Sequence, residues 1–261
     1  MQVRKQTEYY IENKDSDKLV VFIHGIVEGT NQFRNLAKIA YRNGYSAYVI
    51  LLPGHGGTSE DFQKTSYHEW VYAVGYKMQV LKEMYSEIIL VGHSMGSLIA
   101  ICEAIFMPSK ITKLVLIDTP LNIRVSRKVI KSSLNILLGN VNDEYTKMQQ
   151  DAMAVSIDHS MAYFRWIKRY LELFSLIRFT KKHVAKLNKE MLLVFASKDE
   201  FVDLISLKYF KRIQKLLVLK HSGHFAYNPK DMKILEREFK KFLIAPATNE
   251  CLMEKLKWLN K

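Results

Sequence analysis

The chain has 261 residues, 48% of them hydrophobic and 25% charged, with a formal net charge of +13. That length buries a substantial core, as one domain with an insertion or as two domains. Its two cysteines, Cys102 and Cys251, suggest neither a disulfide framework nor a metal site. The basic charge is spread along the chain with no nucleic-acid-binding motif. A lysine-rich solvated surface is therefore expected, with weak association with anionic surfaces as the alternative. The N-terminus leads into no apolar signal region, and no run of about 18 apolar residues exists, so the expected compartment is the cytoplasm.

In chain order, residues 4–12 read as one edge strand or two short ones, and 13–17 as a polar turn. Residues 18–23 form a continuous apolar run, as expected of a strand buried on both faces, and end in His24-Gly25-Ile26. A helix is expected over 31–42, stopped by Asn43-Gly44, and a strand over 45–52. The loop Pro53-Gly54-His55-Gly56-Gly57 follows, then a helix over 67–85 and a strand over 87–91. A helix over 95–107 and a strand over 111–117 complete four strand–helix alternations, which predict a mostly parallel sheet covered on both faces. From 121 to about 188 the pattern is helical only, with helices over 123–138, 143–156 and 161–179. The last carries Phe164, Ile167, Leu171, Phe174 and Ile177 on one face, with Arg165, Lys168, Arg169 and Arg178 around it. This stripe is expected to pack on the body of the protein as part of a lid, with a membrane surface as the alternative. Strands over 191–196 and 215–220, a helix over 204–213 and a closing helix over 230–243 resume the pattern. Residues 251–259 have the spacing of a short amphipathic helix.

The strand over 87–91 breaks into Gly92-His93-Ser94-Met95-Gly96 before an apolar helix, a strand–turn–helix with the G-x-S-x-G spacing. The glycines allow a sharp turn that leaves the Ser94 hydroxyl exposed above the sheet. Such a hydroxyl is a weak nucleophile and needs a histidine base, which needs an acceptor in turn. Of the eight histidines, His221 and His224 follow the last strand; His224, after Gly223 at the loop tip, is the expected base. The acid is Asp199, with Asp118 as the rival and Glu200 and Asp203 as near neighbours. Charge developing on a carbonyl oxygen calls for backbone donors, the N–H of Met95 and, from the loop after His24-Gly25, that of Ile26. His24 is expected to brace that loop.

These residues resemble an α/β-hydrolase of the monoacylglycerol lipase and bacterial carboxylesterase type. The similarity rests on His24-Gly25, Pro53-Gly54-His55-Gly56, Gly92-His93-Ser94-Met95-Gly96, Ser197-Lys198-Asp199-Glu200-Phe201-Val202 and Ser222-Gly223-His224. It implies an eight-stranded, mostly parallel sheet with a helical cap at 121–188 between the sixth and seventh strands. Residues 1–120 and 189–261 would form the core. It also implies two-step hydrolysis through an acyl-serine, without metal or cofactor. Ser97 departs from the pattern, because relatives often carry glycine there. The expected substrate is a small ester with an apolar acyl group. Thioester or carbon–carbon hydrolysis, acyl transfer, cofactor-free haloperoxidase and lyase chemistry could use the same triad. A non-catalytic binding protein would be marked by loss of a triad member, and none is lost.

Overall fold

The computed structural model describes residues 6–156 and 162–246. Inside the sheet, between β3 (Ser46–Ile50) and β4 (Glu87–His93), runs β2 (Lys18–Ile23), with five of its six residues buried. Side chains on a strand alternate in direction, so Leu19, Val21 and Ile23 face one core while Val20 and Phe22 face another. The other strands are β1 (Tyr9–Ile11), β5 (Ile111–Ile117), β6 (Glu190–Ala196) and β7 (Lys215–Leu219). They form one sheet in the order β1-β3-β2-β4-β5-β6-β7, with β1 antiparallel to β3 and every other pairing parallel. The resemblance implies eight strands; the described residues form seven, with Tyr9–Ile11 as the edge strand.

On one face, α1 (Arg34–Arg42) and α8 (Pro229–Ile244) supply Leu36, Ala37, Ala40, Leu235, Phe239 and Phe242 to the core. On the other lie α3 (Tyr67–Met84) and α4 (Met95–Phe106), with Trp70, Val74, Met78, Leu98 and Ile101 buried. Each fully buried large apolar side chain contributes about 1.5–3 kcal/mol. Within the loop at 53–66 the structure adds a short helix absent from the sequence reading, α2 (Ser59–Lys64). Thr58 and Asp61 close a capping box at its start.

Three helices lie between β5 and β6: α5 (Arg127–Leu137), α6 (Glu144–Ala152) and α7 (Ala162–His183). The expected packing face of α7 is wrong. Phe164, Ile167, Leu171 and Phe174 are exposed, and of the predicted stripe only Ile177 is buried. The helix instead buries Trp166, Arg169, Leu173, Leu176 and Thr180. Those residues also recur at three- and four-residue intervals, but Arg169, paired with Glu172, and Thr180, donating to the Leu176 carbonyl oxygen, are polar and hide this face from an apolar count. Residues 204–213, expected as an α-helix, form a 3-10 helix over Leu204–Tyr209. The amphipathic segment at 251–259 lies outside the described residues.

The chain leaves β3, passes β2 and enters β4, so its direction across the sheet reverses between β2 and β4. In parallel sheets such a reversal opens a crevice beyond the carboxyl ends of the two strands. Ile23 pairs with Gly92 there, which puts the loop after β2 beside the turn after β4.

Candidate active site

Ser94 occupies the turn between β4 and α4 with φ of 52°, a left-handed conformation that a non-glycine residue adopts only under constraint. The constraint is close packing. A Cβ at Gly96 would lie 2.0 Å from the Ile23 carbonyl oxygen, and one at Gly92 would lie 2.4 Å from Ser97 Cα. Only glycine lets helix, turn and β2 approach this closely. Ser97 is accommodated, with its hydroxyl donating to the Ser94 carbonyl oxygen at 2.6 Å.

His224, on the loop between β7 and α8, sets Nε2 3.1 Å from Ser94 Oγ and Nδ1 2.7 Å from Asp199 Oδ2. With Nδ1–H donating to the carboxylate, Nε2 is free to accept the serine proton. Asp199, after β6, is held by the N–H groups of Phe201 and Val202, which both donate to Oδ1 at 2.7 Å. All three side chains are buried. Burial opposes charge on His224, but the Asp199 carboxylate outweighs it and raises the imidazole above its usual value.

The rival acid is engaged elsewhere. Asp118 accepts from the Ala196 N–H and the Tyr227 hydroxyl, each at 2.7 Å. Glu200 accepts from the backbone N–H of His224 at 3.0 Å and pairs with Lys128, while Asp203 caps the helix that follows it. The His221 backbone donates to Asp231.

Around the loop after β2, Leu52 N–H donates to His24 Nε2 at 3.0 Å and Val27 N–H to His55 Nε2 at 3.2 Å. Burial lowers the pKa of His24 to about 4 and that of His55 well below its ordinary value, so both act as neutral braces. Met95 opens α4, so its N–H has no intrahelical acceptor. The flanking N–H groups of Gly25 and Val27 are bonded to Glu28 and His55, which leaves the Ile26 N–H for a ligand.

Sequence reading missed Glu28. Its carboxylate is 2% exposed and lies 2.6 Å from His93 Nδ1, next to the Ser94–His224 pair. Burial pushes the Glu28 pKa up, yet His93 outweighs it and holds the carboxyl at about 2. Burial likewise opposes charge on His93, but Glu28 and then Asp118 raise it to about 10. The available signal was a lone charge in the apolar, glycine-flanked segment 25–29.

Above the triad is a cavity of about 490 Å³, lined by Ser94, His224 and Ile26 below and by Val129, Leu134 and Phe174 of α5 and α7 above. Among the described residues, no acidic side chain lines it. Among the described residues, no helix is long and apolar enough to cross a membrane.

A thermostable monoacylglycerol lipase from Bacillus sp. strain H-257 is 33% identical over 88 residues, 34% of this chain and 34% of that protein. The match thus spans about a third of that relative's length. The solved monoacylglycerol lipase of Paleococcus ferrophilus aligns with a TM-score of 0.65 at 18% identity, over 91% of this chain and 97% of that one. A soluble variant of monoglyceride lipase from Saccharomyces cerevisiae aligns with a TM-score of 0.67 at 16% identity, over 91% of this chain and 90% of that one. At these identities the solved structures speak for the fold, which is that of the α/β-hydrolases. The family model described as serine aminopeptidase, S33, matches residues 14–216, most of the chain. On that match, and with a parallel sheet that carries Ser94 on a strand–turn–helix, the chain belongs to this α/β-hydrolase family.

Proposed function

We propose that the protein is a serine hydrolase of carboxylic esters, with Ser94 as nucleophile, His224 as general base and acid, and Asp199 as the group that orients His224. The observation that carries the reading is the hydrogen-bonded line Ser94–His224–Asp199, with spans of 3.1 and 2.7 Å, at the floor of an apolar cavity. Ser94 Oγ attacks the ester carbonyl carbon while its proton passes to His224 Nε2. The negative oxygen then formed is held by the N–H groups of Ile26 and Met95, the latter helped by the dipole of α4. The carbon–oxygen bond to the alcohol breaks, His224 returns the proton to that oxygen, and an acyl-serine remains. Water attacks the acyl carbon with His224 again taking a proton, and the acid leaves as Ser94 is restored.

In this reading residues 121–188 form a lid, and the acyl group lies among Val129, Leu134 and Phe174. A medium-chain ester or monoacylglycerol suits a cavity of about 490 Å³, and the names of the similar proteins point the same way. The name of the family is that of a peptidase. An aminopeptidase would need a carboxylate for the substrate ammonium, and among the described residues the cavity lining supplies none. A panel of p-nitrophenyl esters, monoacylglycerols, acyl thioesters and aminoacyl p-nitroanilides is the test. Esters of intermediate chain length should give the highest kcat/KM; a clear preference for the thioesters or anilides would overturn the assignment to oxygen esters.

Exposed Phe164 and Phe174 of α7 and exposed Ile130 and Leu134 of α5 line the cavity, with Arg127, Lys131 and Lys168 exposed on the same helices. An apolar rim with cationic flanks suits an anionic lipid surface. Co-sedimentation should be stronger with phosphatidylglycerol vesicles than with phosphatidylcholine vesicles, and the preference should fade in high salt. Equal recovery with both would remove this part of the reading.

A further inference from the structure

Behind the triad runs a second line of buried ionisable groups for which the reaction scheme has no use. Glu28 and His93 are each 2% exposed and Asp118 is fully buried. Glu28 Oε2 accepts from the Gly25 N–H at 2.9 Å and from Gln32 Nε2 at 3.0 Å, besides its contact with His93 Nδ1. The Glu28 backbone N–H donates back to the Gly25 carbonyl oxygen at 3.3 Å, closing a ring around Ile26. The second carboxylate oxygen, Oε1, lies 3.9 Å from His224 Nε2. On its far side His93 sets Nε2 3.8 Å from Asp118 Oδ2, and its ring centroid is 4.9 Å from that of His224.

Burying a carboxylate costs several kcal/mol unless it is paired and hydrogen-bonded, so a buried pair at this spot calls for a reason beyond stability. We infer that Glu28 is a positioning residue for the proposed ester hydrolysis, acting through Gly25 on the oxyanion loop and through space on His224, with His93 as the cation that holds it in place. This inference rests on the serine-hydrolase reading and adds a third carboxylate to it.

Two effects follow from the geometry. The first is mechanical. Glu28 ties both ends of the Gly25–Glu28 turn, so the Ile26 N–H is held in one orientation before substrate arrives, and preorganised donors are worth more than mobile ones. The second is electrostatic. The His93 cation opposes the imidazolium that forms on His224, and the Glu28 carboxylate beside it offsets part of that opposition. The other groups around the pair leave that balance intact. His24 and His55 are neutral, Tyr227 is a neutral donor to Asp118, Asp199 already binds His224, and Glu200 is paired with Lys128.

The test compares wild type with Glu28→Gln and Glu28→Ala in p-nitrophenyl butyrate hydrolysis from pH 5 to 9, and follows the His93 ring by NMR in the wild type. Gln keeps an acceptor for Gly25 but not the charge. Glu28→Gln should lower kcat by about tenfold with KM changed less than about threefold, and Ala should lower kcat by about a hundredfold. The Gln variant should also gain a second ionisation in its pH profile, because His93 loses the carboxylate that keeps it charged. Loss of packing alone would add no ionisation. In the wild type the His93 ring should stay protonated up to at least pH 8.5, a measurement that stands even if a variant fails to fold. Wild-type kcat and a single-limb profile in Glu28→Gln, or a wild-type His93 that titrates near pH 6.5, would overturn the inference. Turnover that survives Ser94→Ala would instead overturn the serine-hydrolase reading on which it rests.

Discussion

Ser94→Ala should reduce kcat for p-nitrophenyl ester hydrolysis by a factor on the order of 10⁶ while the protein stays folded. The size of the effect follows from the chemistry. Without a hydroxyl no acyl-enzyme forms, and His224 alone can only activate water poorly placed for attack. The fold should survive because the Ser94 Oγ contact described is to His224, whose Nδ1 remains tied to Asp199. The backbone strain at φ of 52° is imposed by Gly92 and Gly96 against their neighbours, not by the hydroxyl. Thermal melting and steady-state hydrolysis on the same preparation check both halves. Wild-type turnover in the variant would remove Ser94 from the mechanism.

The second large effect is expected from Asp199→Asn, a fall in kcat of about 10⁴. Asp199 Oδ2 accepts from His224 Nδ1–H, which leaves Nε2 unprotonated and facing the serine. An asparagine can turn its NH₂ toward Nδ1, because Phe201 and Val202 N–H groups select the oxygen for the other position. The ring then carries its proton on Nε2 and cannot accept one from Ser94. Asp118→Asn is the control, since Asp118 has its bonds to Ala196 and Tyr227 and none to His224. Its kcat should fall by no more than about tenfold. If the two variants exchange behaviour, the acid is misassigned.

How much of this could be read from residues alone varies with how local the determinant is. Ser94 was legible because its turn needs small neighbours at fixed offsets, a demand that shows directly as Gly92 and Gly96. His224 and Asp199 were legible at one remove. Each follows a strand of the parallel sheet, and the carboxyl ends of parallel strands meet at one rim. Glu28 was not legible. Its role depends on His93 lying 65 positions away in sequence, and no spacing rule links the two. The face of α7 was misread for a related reason. Both faces of that helix satisfy a helical period, and polar Arg169 and Thr180 keep the buried one out of an apolar count. Of the two edge arrangements the sequence allowed, the described residues form one short strand, with residues 9–11 antiparallel to β3.

The same reasoning explains why the chemistry is better defined than the substrate. The proposed triad and oxyanion loop are fixed by sheet ends, buried hydrogen bonds and glycine contacts, all of which restrict atoms to narrow positions. The cavity roof is built from Val129, Leu134 and Phe174, which accept apolar surface without selecting a shape. In the proposed reading, acyl-chain preference depends on packing against these two helices, α5 and α7.

Covalent labelling tests the nucleophile most directly. After brief exposure to a fluorophosphonate and proteolysis, the mass of each peptide is read. One phosphonyl group on the hydroxyl at position 94, absent when the Asp199→Asn protein is treated for the same time, is the result the account predicts. A label on any other side chain, or an active enzyme that takes up none, would contradict it.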